Sequence, residues 1–200
     1  DTVSETKENI LDFSQLKNLT IRPLPDQMDF LKVYNNNVPR FHLEGYLLAA
    51  DPGTGKTISS LCVAECYKPD ITICTVPLNS VLDVWDKTTN GESCIYKSRR
   101  KVWHSLMKEP MTVGYDIYIF HYEYLPKATE FFESHLGEWK RPFMILDECH
   151  NFNDIKALRT ELYVELGQLL KCKNKLWMSG TPIKALGSET VPLLRSTDPF

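Results

Sequence analysis

The 200-residue sequence lacks long apolar runs, paired cysteines and any strong excess of charge. No stretch approaches the roughly 20 consecutive apolar residues that a membrane-spanning helix needs, which excludes a membrane span. The six cysteines form no Cys-x-x-Cys pair, so neither a disulfide framework nor a zinc site is expected. We expect a reducing compartment, the cytoplasm or nucleus, or the host cytoplasm for a viral or phage protein. The net charge of −3 does not decide for or against a nucleic-acid partner, because a local basic stripe is sufficient for one.

No internal repeat or low-complexity tract is present, and short apolar runs alternate with helical patterns from residue 45 onward. Residues 1–22 are polar and predict an N-terminal arm. Continuous apolar runs alternating with helices are typical of a parallel sheet covered on both faces, so we expect one α/β domain over residues 23–200. The strand candidates are residues 46–50, 70–76, 116–120, 143–147 and 175–179. The helix candidates are residues 26–34, ended by a break at 35–39, then 57–67, 79–86 and a leucine-patterned segment over 158–170.

A glycine-containing loop, AADPGTGKT, lies between the first strand candidate and the helix candidate at 57–67. It fits the Walker A pattern, with alanine in the place of the first glycine. Its glycines let successive backbone N–H groups face phosphate oxygens at a helix N-terminus, where the helix dipole favours an anion. The lysine can reach the β- and γ-phosphates, and the threonine hydroxyl can ligate Mg²⁺. The pattern predicts a site for a nucleoside triphosphate with Mg²⁺, formed by Gly53, Thr54, Gly55, Lys56 and Thr57.

Two adjacent carboxylates, Asp147 and Glu148, follow the apolar run at residues 143–146, where a strand would end. The carboxyl edge of a buried parallel strand is where such sheets bind their ligands. The first carboxylate can hold Mg²⁺ through water, and the second can orient and deprotonate an attacking water. The pair therefore predicts Mg²⁺-assisted hydrolysis, with a solvated Asp-Glu pair that opens a loop as the alternative.

Several segments together resemble the superfamily 2 helicases and translocases, with the Swi/Snf-type proteins closest. Asp147-Glu148-Cys149-His150 is similar to their DExH box, and Ser179-Gly180-Thr181-Pro182 resembles their motif III. Thr75-Val76-Pro77-Leu78 looks like motif Ia, and Phe120-His121-Tyr122-Glu123 resembles a Thr-Tyr-Glu segment that precedes a helix. Pro25-Asp26-Gln27 is similar to the adenine-reading glutamine motif. These segments occur in the family's order and span residues 24–182.

The resemblance implies a RecA-like P-loop NTPase lobe, the first of two lobes with ATP between them. It implies that Gln27 reads adenine, that Ser179 and Thr181 link the nucleotide site to the nucleic-acid track, and that His150 contacts motif III or the opposite lobe. The residues that would lie along a nucleic-acid backbone are Thr75, Pro77, His121 and Tyr122.

The function implied by the resemblance is Mg²⁺-dependent ATP hydrolysis that drives movement on nucleic acid, with DNA favoured over RNA. The sequence stops soon after motif III, so we expect a longer chain to supply the second lobe. We also expect these 200 residues alone to bind nucleotide weakly and hydrolyse it poorly. Three alternatives stay open: a nucleotide-dependent protein-interaction module, an RNA helicase, and the motor lobe of a restriction enzyme.

A basic run, Lys97-Ser98-Arg99-Arg100-Lys101, with Trp103 nearby, is a further candidate for phosphate contacts. Backbone binding of this kind would weaken as salt concentration rises. A solvated loop is the alternative.

Overall fold

The computed structural model describes residues 9–152 and 157–180. Within these residues six strands form one all-parallel sheet. They are β1 (Gly45–Ala49), β2 (Ile71–Val76), β3 (Val102–His104), β4 (Ile117–His121), β5 (Pro142–Leu146) and β6 (Asn174–Ser179). Their order across the sheet is β1-β6-β5-β2-β4-β3, so the strand before the glycine loop lies two places from the strand before the acidic pair. The predicted parallel sheet is confirmed, and every carboxyl end lies at one edge.

Helices cover both faces of the sheet and divide the core into two clusters. The helices are α1 (Pro25–Arg40), α2 (Lys56–Tyr67), α3 (Lys87–Thr89), α4 (Leu125–Glu133) and α5 (Leu158–Leu169). Successive residues of a strand point to opposite faces, so in β2 Cys74 joins the cluster under α1 and α2 while Ile73 joins the cluster under α4 and α5. Because both faces are buried, the strands are continuous apolar runs rather than alternating ones.

The first helix continues through the break predicted at residues 35–39, so that prediction is wrong. Tertiary hydrogen bonds use the polar side chains that appeared to end the helix. Asn35 accepts a hydrogen bond from the Leu11 N–H at 3.0 Å, and Asn37 donates one to the Tyr46 hydroxyl at 3.0 Å. These contacts offset the weak helix propensity of asparagine. That weak propensity is the reason why the sequence pattern alone predicts a break.

The described part of the predicted arm, from residue 9 onward, packs against the domain. A 3₁₀ turn over Phe13–Asn18 lies between two residues of the core, Leu11 and Leu19, each only 3% exposed. Leu19 also forms an isolated antiparallel bridge with Tyr96. The boundary placed between residues 22 and 23 stays a prediction, and the residues just before it belong to the same core.

The segment predicted as a capped helix over residues 79–86 contains a wide π-helical turn, Val81–Asp86, which leads directly into α3. π-Helical turns are rare and frequently occur at functional sites. This one turns the Trp85 side chain into the protein interior, where it is fully buried.

The basic run at residues 97–101 precedes β3 and therefore lies at the amino edge of the sheet, opposite the glycine loop. Arg100 pairs with Glu65 at 2.7 Å and its guanidinium stacks 5.0 Å from the centre of the Tyr96 ring. Trp103 is 1% exposed and so is not available to stack on a base. The placement favours the alternative prediction, a solvated loop, over a phosphate contact.

All six cysteines are free, and five of them are buried. Burial raises the pKa of the Cys62 and Cys66 thiols to about 12, so both stay protonated and unreactive at neutral pH. The cysteines thus act as small core residues, as their spacing indicates. Among the described residues, none of the helices has the length and apolar character needed to span a bilayer.

Candidate active site

The glycine loop follows the carboxyl end of β1 and leads into the N-terminus of α2, as the sequence predicts. Gly53 and Gly55 have φ values of +80° and +78°, in the left-handed region that glycine adopts without strain. The Lys56 ammonium group donates to the Ala50 carbonyl at 2.9 Å and to the Asp51 carbonyl at 3.1 Å. The lysine is thus held over the loop, which leads into the N-terminus of α2, where the helix dipole suits a phosphate group.

The predicted adenine-reading glutamine lies against this loop. Gln27 is 6% exposed, and its side-chain amide N–H donates to the Gly55 carbonyl at 3.2 Å. Its side-chain oxygen accepts a hydrogen bond from the Leu24 N–H at 2.8 Å. Gln27 therefore fixes the first turn of α1 to the phosphate loop, and adenine reading stays a prediction.

We expect Gly55→Ala to destabilise the domain more than Gly53→Ala. Both substitutions place an L-residue in the left-handed region, at a cost of roughly 1–2 kcal/mol. A Cβ at Gly55 would lie 2.5 Å from the buried Gln27 amide nitrogen, whereas a Cβ at Gly53 meets nothing within 4 Å. Displacing that amide leaves polar atoms unpaired and costs about 1–3 kcal/mol more. Urea unfolding of the two variants measures the difference, and equal losses would contradict this role of Gln27.

The Asp147 carboxylate lies just beyond the end of β5 and is 8% exposed. Its two oxygens accept hydrogen bonds from the Glu148 N–H at 3.0 Å and from the Trp85 indole N–H at 3.1 Å. Burial raises the pKa of the Asp147 carboxyl above its ordinary value, while the Trp85 hydrogen bond and the charge of Lys56 act in the opposite direction. Lys56 and Asp147 thus lie at the same carboxyl edge of the sheet, beyond the ends of β1 and β5.

Glu148 and His150 form a contact with the end of β6. The Nδ1 atom of His150 lies 3.3 Å from a carboxylate oxygen of Glu148 and 3.1 Å from the Ser179 hydroxyl. The predicted contact between His150 and motif III is therefore present, whereas Thr181 lies outside the described residues. Glu148 has a φ of +50°, which costs a non-glycine residue on the order of 1–3 kcal/mol, and strained residues of this kind are often found at functional sites.

The residues at this edge fit Mg²⁺ brought in with a nucleotide. Thr57 lies in the first turn of α2, which follows β1, and Asp147 supplies a carboxylate at the end of β5, two places away in the sheet. Over residues 9–152 and 157–180, no three His, Cys, Asp or Glu side chains gather closely enough to hold a metal ion by themselves. Mg²⁺ commonly binds through one or two protein groups, several waters and substrate phosphates, which matches this sparse set.

The predicted nucleic-acid contacts differ in their exposure. Thr75 is fully buried in β2, and Tyr122 is 7% exposed with its hydroxyl donating to the Asp147 carbonyl at 2.6 Å. Pro77 and His121 are half-buried at the carboxyl ends of the paired strands β2 and β4. Contacts of Thr75 and Tyr122 with nucleic acid stay predictions, and in this conformation both side chains face the protein interior.

Sequence reasoning missed one residue of the site, Trp85, and it did not show that Gly180 packs against the glycine loop. A buried indole N–H usually has a hydrogen-bond partner, but the sequence does not show that the partner here is Asp147. A Cβ at Gly180 would lie 3.7 Å from the Lys56 nitrogen and 3.4 Å from a Pro52 ring carbon. Gly180 therefore packs directly against the glycine loop.

Comparison with known proteins identifies a family model that matches most of this chain and a solved structure with a similar fold. A family model described as the SNF2-related domain matches residues 28–199. The fold is similar to the Sulfolobus solfataricus SWI2/SNF2 ATPase core in complex with dsDNA, with a TM-score of 0.72 and 22% sequence identity. The match covers 91% of this chain and 37% of that one, so this chain corresponds to little more than a third of the solved protein. None of the curated proteins matches the sequence at a significant level.

Proposed function

Because the chain belongs to the SNF2-related domain family, we propose that it is the ATP-binding first lobe of an ATPase that moves on DNA. The resemblance to Swi/Snf-type superfamily 2 proteins and the RecA-like α/β fold are confirmed. One observation supports the proposal above all: Lys56, Asp147 and the His150–Ser179 pair meet at one sheet edge from segments far apart in the chain. The carboxyl edge of a parallel sheet is where such folds bind their ligands, so these groups are placed to contact one nucleotide.

The proposed roles follow from the contacts. The loop N–H groups and Lys56 bind the triphosphate, releasing the Ala50 and Asp51 carbonyls that hold the ammonium group in this structure. Thr57 and Asp147 would hold Mg²⁺, which would neutralise developing charge on the phosphate oxygens. Glu148, one-third exposed beside His150, orients water and accepts its proton. The ionised form of Glu148 is the one that can act as this base.

The proposed nucleic-acid track runs along the same edge of the sheet. Pro77 directly follows β2 and His121 ends the neighbouring strand β4, and Leu78 is 53% exposed. The solved relative is an ATPase core in complex with dsDNA, which favours DNA over RNA for this chain. We propose that the remainder of a longer chain supplies the second lobe, which would close over the nucleotide.

We expect ATP hydrolysis by the full-length protein to be stimulated strongly by one nucleic acid, with double-stranded DNA the favoured activator. The measurement compares turnover with double-stranded DNA, single-stranded DNA, RNA and no nucleic acid under one salt concentration. Stimulation by RNA alone would indicate that the protein moves on RNA rather than on DNA. If the protein binds ATP but none of the nucleic acids stimulates its hydrolysis, the proposed motor function is wrong. A nucleotide-dependent protein-interaction module would then be the remaining function.

A further inference from the structure

The orientation of the Asp147 carboxylate is set by two N–H donors on different parts of the chain. The Glu148 N–H bonds one oxygen at 3.0 Å and the Trp85 indole N–H bonds the other at 3.1 Å. The Tyr122 hydroxyl fixes the backbone of the same residue by bonding its carbonyl at 2.6 Å. An ionised carboxylate has about four lone-pair sites, so each oxygen keeps an acceptor site for a metal ion or its water.

Trp85 has the properties of a group that orients this carboxylate without competing for its ligands. The indole N–H only donates, so it can neither bind a cation nor exchange a proton with the carboxylate. The ring is fully buried in the core cluster that contains Val76 and Val81, which leaves it little freedom to turn. The π-helical turn Val81–Asp86 places it there, a few residues beyond the proposed nucleic-acid contact at Pro77.

We propose that Trp85 is a positioning residue whose indole N–H sets the orientation in which the Asp147 carboxylate meets Mg²⁺ bound with nucleotide. This inference rests on the proposed function, because it requires that the site bind Mg²⁺ with ATP. Trp85 acts through Asp147 and is not itself a catalytic residue. Hydrogen-bond partners of metal ligands commonly contribute on the order of 10–100-fold to metal affinity.

Trp85→Phe tests the proposal, with Trp103→Phe as the matched control. Trp103 is also buried, and its indole N–H donates to the Glu109 carbonyl at 3.1 Å, at the edge strand β3. Both variants therefore lose a buried indole and one hydrogen bond, but only Trp85→Phe loses a hydrogen bond to the Asp147 carboxylate. The measurement is the affinity of the full-length protein for a fluorescent ATP analogue across a Mg²⁺ series and in EDTA.

For Trp85→Phe we expect the Mg²⁺ concentration that gives half-maximal tight binding to rise by about tenfold. Its affinity for the nucleotide in EDTA should equal that of the parent protein. Trp103→Phe should match the parent protein both in EDTA and across the Mg²⁺ series. An unchanged Mg²⁺ dependence in Trp85→Phe would overturn the inference and leave the proposed function standing. An equal loss of affinity in EDTA and in Mg²⁺ would also overturn it, because it would indicate a purely structural role.

A parent protein that shows no Mg²⁺-dependent nucleotide binding would overturn the proposed function itself, so the two failures are distinguishable. If Trp85→Phe fails to fold, benzothienylalanine incorporated at position 85 replaces the indole N–H by sulfur and keeps nearly the same ring shape. The same shift in Mg²⁺ dependence is expected, and its absence would overturn the inference equally.

Discussion

Lys56→Ala should abolish tight nucleotide binding. The ammonium group is the one cation that the phosphate loop itself provides, and hydrogen bonds to charged groups contribute roughly 1.5–3 kcal/mol each. Losing one such bond weakens binding by about 10- to 150-fold, and losing bonds to both the β- and γ-phosphates weakens it further. Titration of a fluorescent ATP analogue into the full-length protein measures the change.

Two further substitutions complete this test. The first separates the charge of Lys56 from its packing, and the second is a control at a surface lysine. Lys56→Met keeps most of the side-chain stem and should lose as much affinity as the alanine variant. Lys87→Ala removes a lysine that pairs with Glu92 at 2.9 Å on the protein surface, and it should bind nucleotide normally. Normal affinity in both Lys56 variants would refute the assignment of this loop as the phosphate site.

Glu148→Gln should leave nucleotide binding intact and reduce ATP turnover. Glutamine has nearly the same shape, so the left-handed backbone at this position and the contact with His150 need not change. It cannot accept a proton from water, and loss of a general base typically slows turnover by on the order of 10²- to 10⁴-fold. Single-turnover hydrolysis with saturating ATP, measured on the full-length protein with its nucleic-acid activator, isolates that step.

The control for this substitution is Glu130→Gln, which removes one carboxylate from the exposed face of α4. It should hydrolyse ATP at the parent rate, so a general effect of net charge is excluded. Parent-like turnover in Glu148→Gln would show that another group activates the water. Weakened binding together with slow turnover would instead indicate that Glu148 holds the bound ligand.

Much of the fold and several site residues could be predicted because their signals are local. The continuous apolar runs at residues 70–76 and 143–147 predict buried parallel strands, and the structure has these strands at Ile71–Val76 and Pro142–Leu146. Gly53 and Gly55 predict a turn that only glycine adopts easily, and both have positive φ. The acidic pair follows β5 directly, so its place at the carboxyl edge follows from the strand prediction alone.

The sequence by itself determined the strand–helix alternation, the glycine loop and the positions of the acidic pair, because each depends on neighbours within a few residues. Tertiary structure alone decided that α1 continues through its asparagines, that Tyr122 points inward and that the Trp85 indole bonds Asp147. The physical reason is that a hydrogen bond has no signature in its two partners when 62 residues separate them, as between Trp85 and Asp147. Their meeting depends on the strand order, which places β2 beside β5 and brings the turn after β2 over the end of β5.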